Sequence, residues 1–189
     1  MPESSPDDLH VVRPVLSKQE AENKLRLRSP LPPFGKIRFD KIELSYLPHY
    51  LFDVTVEWKA EREVARAAVD AVLGHFAMWR PGDLEMEDAQ GPEFEIPFII
   101  PRDEAREKLL AQYRWLLIST ALKLRKRFRI IQTIPGPRLY YPFYTAYHRA
   151  RGQWKFEACD AVSGMRQGGK VKDALLIGWV RSRQEDKAE

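Results

Sequence analysis

Asp70 and Asp160 are the carboxylates best placed to do chemistry, because each opens the same short pattern: Asp70-Ala71-Val72-Leu73-Gly74 and Asp160-Ala161-Val162-Ser163-Gly164. Two acids, one per copy and facing each other, are the minimum for general acid–base work. No nucleophile or metal-ligand set accompanies them, and a plainer reading fits both. An Asp at the start of a turn accepts its own downstream backbone amides, and the closing Gly supplies the positive φ of a tight reversal. The pattern therefore reads as the closing turn of a structural unit, and no catalytic residue is assigned.

Other chemistry is thinner. His10, His49, His75 and His148 show no metal-ligand spacing, so neither a metal site nor a cofactor is expected. Cys159 is the single cysteine and falls in an apolar strand pattern, which reads as a buried thiol. No nucleophile-elbow, Walker or dinucleotide glycine pattern occurs, and Gly168-Gly169-Lys170 is too bare for a phosphate loop. The strongest charge signal is Lys123-Leu124-Arg125-Lys126-Arg127-Phe128-Arg129. Its plain reading is a solvated helix end that complements the helix dipole. Its sharper reading is an anion or nucleic-acid surface formed by Lys123, Arg125, Lys126, Arg127 and Arg129, with nearby aromatics for stacking.

The second candidate surface is aromatic. In Tyr140-Tyr141-Pro142-Phe143-Tyr144 an extended chain puts Tyr140, Pro142 and Tyr144 on one face and Tyr141, Phe143 and Tyr147 on the other. Intramolecular core is the ordinary explanation. A partner-binding surface of Tyr141, Phe143 and Tyr147, together with Trp115 on the following helix pattern, is the alternative.

These residues need elements to hold them. Ser17-Lys18-Gln19-Glu20 is a capping box, and Ala21, Leu25 and Leu27 mark the inner face of the helix it starts. Ser29 to Gly35 is a Pro-rich stop. Tyr46 to Trp58 is a long β-rich strand, Lys59 to Glu63 a charged turn and Val64 to Val72 the returning strand. His75 to Trp79 and Phe94 to Ile100 read as short strands. Arg102 to about Phe128 is the clearest helix, with Asp103, Glu104 and Glu107 at its start and Lys123 to Arg127 at its end. Its middle, Tyr113 to Leu122, is apolar on nearly every face, so it must be buried on two sides or covered by a partner. Pro135-Gly136-Pro137 is expected to break the chain. Tyr140 to Tyr147 and Trp154 to Val162 form a second hairpin, and Ala174 to Val180 reads as a last strand.

Three matches recur in order. Glu20-Ala21-x-x-Lys24-Leu25 matches Glu104-Ala105-x-x-Lys108-Leu109. Tyr46-x-Pro48-x-Tyr50 matches Tyr140-x-Pro142-x-Tyr144. The Asp-Ala-Val-x-Gly turns complete the series. The fold class expected is α+β: two similar units, each a helix packed on an antiparallel sheet, related as a pseudo-twofold internal duplication. The expected boundaries are a flexible tail at 1–10, repeat units at 11–80 and 94–180, a linker at 81–93 and a flexible tail at 181–189. A short helix followed by strands, with the last hairpin marked by Asp-Ala-Val-x-Gly, resembles the PepSY family over residues 17–74 and 102–164. The resemblance implies small tandem modules, usually exported or membrane-attached, that bind or restrain partners, peptidases among them. The Tyr-x-Pro-x-Tyr strand and the long second helix depart from that pattern, and no functional residue carries over.

Composition sets the remaining bounds. With 189 residues, 44% hydrophobic and 11% aromatic, the chain can bury a sizeable core. Residues 1–94 hold 12 Lys/Arg against 17 Asp/Glu, and residues 95–189 hold 19 against 10; the nets of −5 and +9 give the overall +4. One cysteine allows no intrachain disulfide and suits a reducing compartment. The acidic N-terminus does not read as a secretory signal and no apolar run is long enough to span a membrane, so a cytoplasmic location is expected, with peripheral membrane contact left open. The function expected is a non-enzymatic protein-binding or assembly module whose partner is another protein or a second copy. The alternatives are a nucleic-acid-binding protein using the basic half, and an enzyme with a cleft between the two units.

Overall fold

The computed structural model describes residues 5–26, 38–59, 61–79, 86–88 and 96–185. Among the described residues the chain is mixed α+β, with a seven-stranded sheet and three helices. In chain order the elements are β1 (Leu9–Val12), α1 (Lys18–Arg26), β2 (Lys41–Trp58), β3 (Glu61–Asp70), β4 (Phe76–Met78), β5 (Met86–Asp88), α2 (Arg102–Leu124), β6 (Phe128–Ala150), β7 (Gln153–Asp160) and α3 (Gly169–Glu185). Hydrogen bonding runs β4-β3-β2-β6-β1-β5, and β7 also pairs with β6. The β2/β3, β3/β4 and β6/β7 pairs are antiparallel, while β1 runs parallel to β6.

The described chain packs as two compact units that interleave in sequence. One draws on Met1–Val11, Pro48–Gln90 and Pro97–Tyr140, the other on Val12–Leu47, Gly91–Ile96 and Tyr141–Glu189. In the first, alternate residues of β2 (Tyr50, Phe52, Val54, Val56) and of β3 and its turn (Ala67, Val69, Ala71) present one apolar face. Ala105, Leu109, Tyr113 and Leu117 of α2, four residues apart, cover that face. In the second, Tyr144 and Ala146 of β6, with Cys159 and Ala161, are covered by Ala21 and Leu25 of α1. The helix that follows Ser17 in sequence thus packs on the later hairpin, and the later helix packs on the earlier hairpin. The sequence matches lie in the contiguous blocks 11–80 and 94–180, whereas the packing exchanges their helices.

The motif residues explain the fit. Ala21 and Ala105 are the small residues that let each helix approach its sheet. The side chain of Lys108 lies against Gly74 and that of Lys24 against Gly164, so a Cβ built on either Gly would meet the lysine stem within 3 Å. Both glycines have positive φ, +80° and +70°. The capping box forms as its spacing dictates: the Glu20 amide donates to Ser17 Oγ at 3.3 Å, and the Ser17 amide donates to Glu20 Oε2 at 2.8 Å.

Several expectations from sequence are corrected. Residues Ala174 to Val180 are not a strand but the middle of α3, where Ala174, Leu175 and Gly178 are buried at helical spacing. An unbroken apolar run has no period-2 signal, so length decides, and α3 runs for 17 residues. Residues 181–185 belong to that helix and not to a tail. Pro135-Gly136-Pro137 lies inside β6. Proline fixes an extended-compatible φ and keeps its predecessor extended, so it removes ladder donors without ending the strand. Gly136 sits where a Cβ would come 3.2 Å from Leu51 Cβ on neighbouring β2. Residues 96–100 are irregular and not a strand; the Ile99 and Ile100 amides both donate to the Ala71 carbonyl. Leu9 and His10 belong to β1, and β5 lies within the expected linker. Leu27, the Pro-rich stop at 29–35, Phe94 and most of 81–93 fall outside the described residues.

Candidate functional site

The repeated carboxylates are engaged by backbone. Asp70, 3% exposed, accepts from the amides of Val72, Leu73 and Gly74 through Oδ1 and from that of His75 through Oδ2, at 2.6–3.2 Å. Asp160 Oδ1 accepts from the amides of Val162 and Ser163 at 2.8 and 3.0 Å, and the Tyr141 hydroxyl donates to its carboxylate at 3.1 Å. Both act as turn anchors, as their position before Gly suggests. Burial, and then the Asp160 charge, push the Tyr141 hydroxyl pKa well above the ordinary phenol value. Burial pushes the Cys159 thiol up to about 11, so it is a structural thiol rather than a ready nucleophile. Among the described residues, no group of three or more His, Cys, Asp and Glu is placed to hold a metal ion.

The aromatic strand is divided by burial. Phe143 is buried and lies 5.3 Å from the Tyr141 ring. Tyr147 is half-buried and packs with Phe156 and Trp179 at 6.0 and 6.1 Å. Trp115 sits on α2 in the other compact unit and is 74% exposed.

Around Trp115, α2 is not buried on two sides within the described chain, the first of the two alternatives expected of it. Its inner stripe is covered by β2 and β3. The opposite side carries Ala111, Trp115, Ile118 and Leu122, spaced by four, three and four residues, and all exposed, Leu122 at 75%. That spacing is the apolar seam of a helix made to meet another helix. Acidic residues Asp103 and Glu104 sit in the first turn and Lys123 in the last. Arg125 caps the helix in the left-handed conformation, φ +50°, and directs the chain into β6.

The basic residues divide too. Lys123, Arg125, Lys126 and Arg127 are exposed and make no ion pair among the described residues. Arg129 instead donates to Glu57 at 3.1 Å. Several other cations of the basic half are committed. Arg166 and Lys172 both pair with Glu157, at 2.9 and 3.3 Å. Arg138 stacks on Phe98, and Arg149 stacks on Trp154 at 4.7 Å. Burial alone would raise the Glu157 carboxyl, but Arg166 and Lys172 outweigh it and hold its pKa below the usual range.

One feature of the second compact unit escaped the sequence reading. A cavity of about 490 Å³ is lined by Lys41, Glu43, Tyr147, Trp154, Lys155, Phe156 and, from α3, Leu176, Trp179, Val180, Ser182 and Arg183. Reading α3 as a strand hid this face. As a helix it places Leu176, Trp179, Val180 and Arg183 at i, i+3, i+4 and i+7 on one side, which was the available signal.

No protein-family model, curated protein or solved structure matches this chain. No described helix is long and apolar enough to cross a membrane.

Proposed function

We propose that the protein is a non-enzymatic assembly module that self-associates through the outer face of α2. The observation carrying this reading is the exposed row Ala111, Trp115, Ile118 and Leu122 on a helix whose opposite stripe is already buried. Soluble domains seldom leave such a contiguous apolar face unused. The committed partner is a second copy. An antiparallel copy of α2 sets Glu107 near the basic end, Lys123 to Arg127. It also sets Ala111 against Leu122 and Trp115 against Ile118, the alternation that a twofold helix pair requires. The internal duplication belongs to the same proposal; its support is that helix alanine, lysine stem and Asp-anchored turn meet in the same way twice.

The test is light scattering across a concentration series, with Trp115→Glu and Leu122→Glu alongside. We expect a dimer that both variants convert to monomer while their circular dichroism is unchanged. A parent protein that stays monomeric at the highest attainable concentration refutes the reading. A second reading has its own observation: the four uncommitted cations at 123–127 fit a phosphate backbone. Oligonucleotide binding at low salt that is weakened by the Lys126→Glu, Arg127→Glu double variant supports it, and unchanged mobility of the oligonucleotide removes it.

A further inference from the structure

The cavity of the second compact unit combines an aromatic wall with a cationic rim. Its inner wall is aromatic. Tyr147, Phe156 and Trp179 contact one another at 5.3–6.1 Å, so their rings are fixed by mutual packing. Its mouth carries apolar side chains left in water: Trp154 at 59% exposure, with Leu176 and Val180 about half exposed. Arg149, which is not part of the lining, lies over the Trp154 ring at 4.7 Å and braces the indole beside the cavity.

The rim is cationic. Lys41, Lys155 and Arg183 line the cavity with a single carboxylate, Glu43. Burial acts to raise the Glu43 carboxyl pKa, but bonds from Lys41 and the Tyr147 hydroxyl, with the charge of Arg183, bring it below the usual range. Glu43 is thus an anion already paired with Lys41. Lys155 and Arg183 form no ion pair within the described residues. The cavity therefore offers an aromatic wall and two cations at its rim: Lys155, and Arg183, whose charge reaches Glu43 without a direct ion pair.

We infer that this cavity binds a small planar aromatic anion, of the size and chemistry of a nucleoside monophosphate. The ring would lie against Trp154 and Trp179, and the anionic group would meet Lys155 and Arg183. A volume of about 490 Å³ falls within the range of small-molecule sites. Ring stacking supplies contact area without demanding a particular edge pattern, and the guanidinium of Arg183 gives a forked contact to phosphate. The inference is independent of self-association, because α2 lies in the other compact unit and contributes no residue to the lining.

The experiment uses the full chain and titrates adenosine 5′-monophosphate, adenosine, inorganic phosphate and decanoate. It is followed by calorimetry and by the indole N–H resonances of Trp154 and Trp179, assigned with Trp154→Phe and Trp179→Phe. Adenosine 5′-monophosphate is expected to shift both indole signals and to bind at least ten times more tightly than adenosine or phosphate. Arg183→Glu and Lys155→Glu should each weaken it about tenfold, and Trp154→Ala should weaken it while leaving the far-UV spectrum unchanged. No indole shift at millimolar nucleotide overturns the inference. Equal affinity for adenosine and its monophosphate also overturns it, as does tighter binding of decanoate, which would make the site an acyl-chain pocket.

Discussion

Replacing Asp70 by Ala removes the acceptor of three backbone amides at once. Val72, Leu73 and His75 N–H have no other acceptor among the described residues, whereas Gly74 N–H keeps the Asp70 carbonyl at 3.1 Å. A buried donor left unmet costs about 1–3 kcal/mol. Val72 is buried, while Leu73 and His75 are half-buried and recover part of the loss from water. The sum is about 3 kcal/mol. Asp160→Ala orphans the Val162 and Ser163 amides and takes the Asp160 acceptor from the Tyr141 hydroxyl, and Ser163 is exposed, so about 1–2 kcal/mol is expected there. Urea unfolding followed by circular dichroism and tryptophan fluorescence measures both. With a slope of about 1–3 kcal/mol per molar urea, Asp70→Ala should lower the midpoint by about 1–3 M. Asp70→Asn, which keeps one carbonyl oxygen, should fall between parent and Ala. If Asp160→Ala proves the more damaging, or if Asp70→Ala changes stability by under about 0.5 kcal/mol, the anchoring account is wrong.

Gly178→Ala should destabilise despite its better helix propensity. The new Cβ would lie 2.5 Å from Cγ2 of buried Ile96, and overpacking of about 1–3 kcal/mol exceeds the propensity gain of about 1 kcal/mol. Ile96→Ala in the same chain should relieve part of that penalty, which a double-mutant cycle reads directly. Cys159 should resist an aromatic disulfide reagent at pH 8 in the native protein and react at once in denaturant. Because folding raises its pKa from 9.0 to about 11, its contribution to stability is complete below pH 9 and is lost as pH rises toward 11; Cys159→Ser should flatten that limb of a stability–pH curve. For Glu157 the sign is opposite. Its folded pKa is depressed, so its contribution is complete above the ordinary carboxylate range and is lost as pH falls through the folded value. Glu157→Gln should therefore reduce the acid dependence of the unfolding midpoint.

The contrast between the two apolar helices shows where sequence reading stops. For α2, charges at both ends identify the helix from local signals alone, and its buried stripe Ala105, Leu109, Tyr113 and Leu117 is a plain four-residue period. For α3, the run Ala174 to Val180, apolar apart from Gly178, fits strand and helix equally, and the buried spacing of Ala174, Leu175 and Gly178 in the packed chain shows the helix. The cavity lined by β2, β6, β7 and α3 was lost with that assignment, since its aromatic wall and basic rim come from four separate segments.

What the sequence determined by itself are the features whose energetics are local. The Ser17–Glu20 box, the Asp70 and Asp160 turns with their positive-φ glycines, and the β-branched and aromatic hairpin strands each depend on residues within a few positions of one another. Tertiary structure alone decided that α1 covers the later hairpin and α2 the earlier one. The matching motifs make either helix chemically suited to either sheet, so local preference cannot choose between them. It alone decided, too, that Pro135-Gly136-Pro137 continues a strand, because only the close approach of Leu51 distinguishes that use of Gly136 from a turn. The same holds for the outer face of α2. An apolar pattern records that a surface prefers burial, and only the packed chain shows which side its own sheet leaves uncovered.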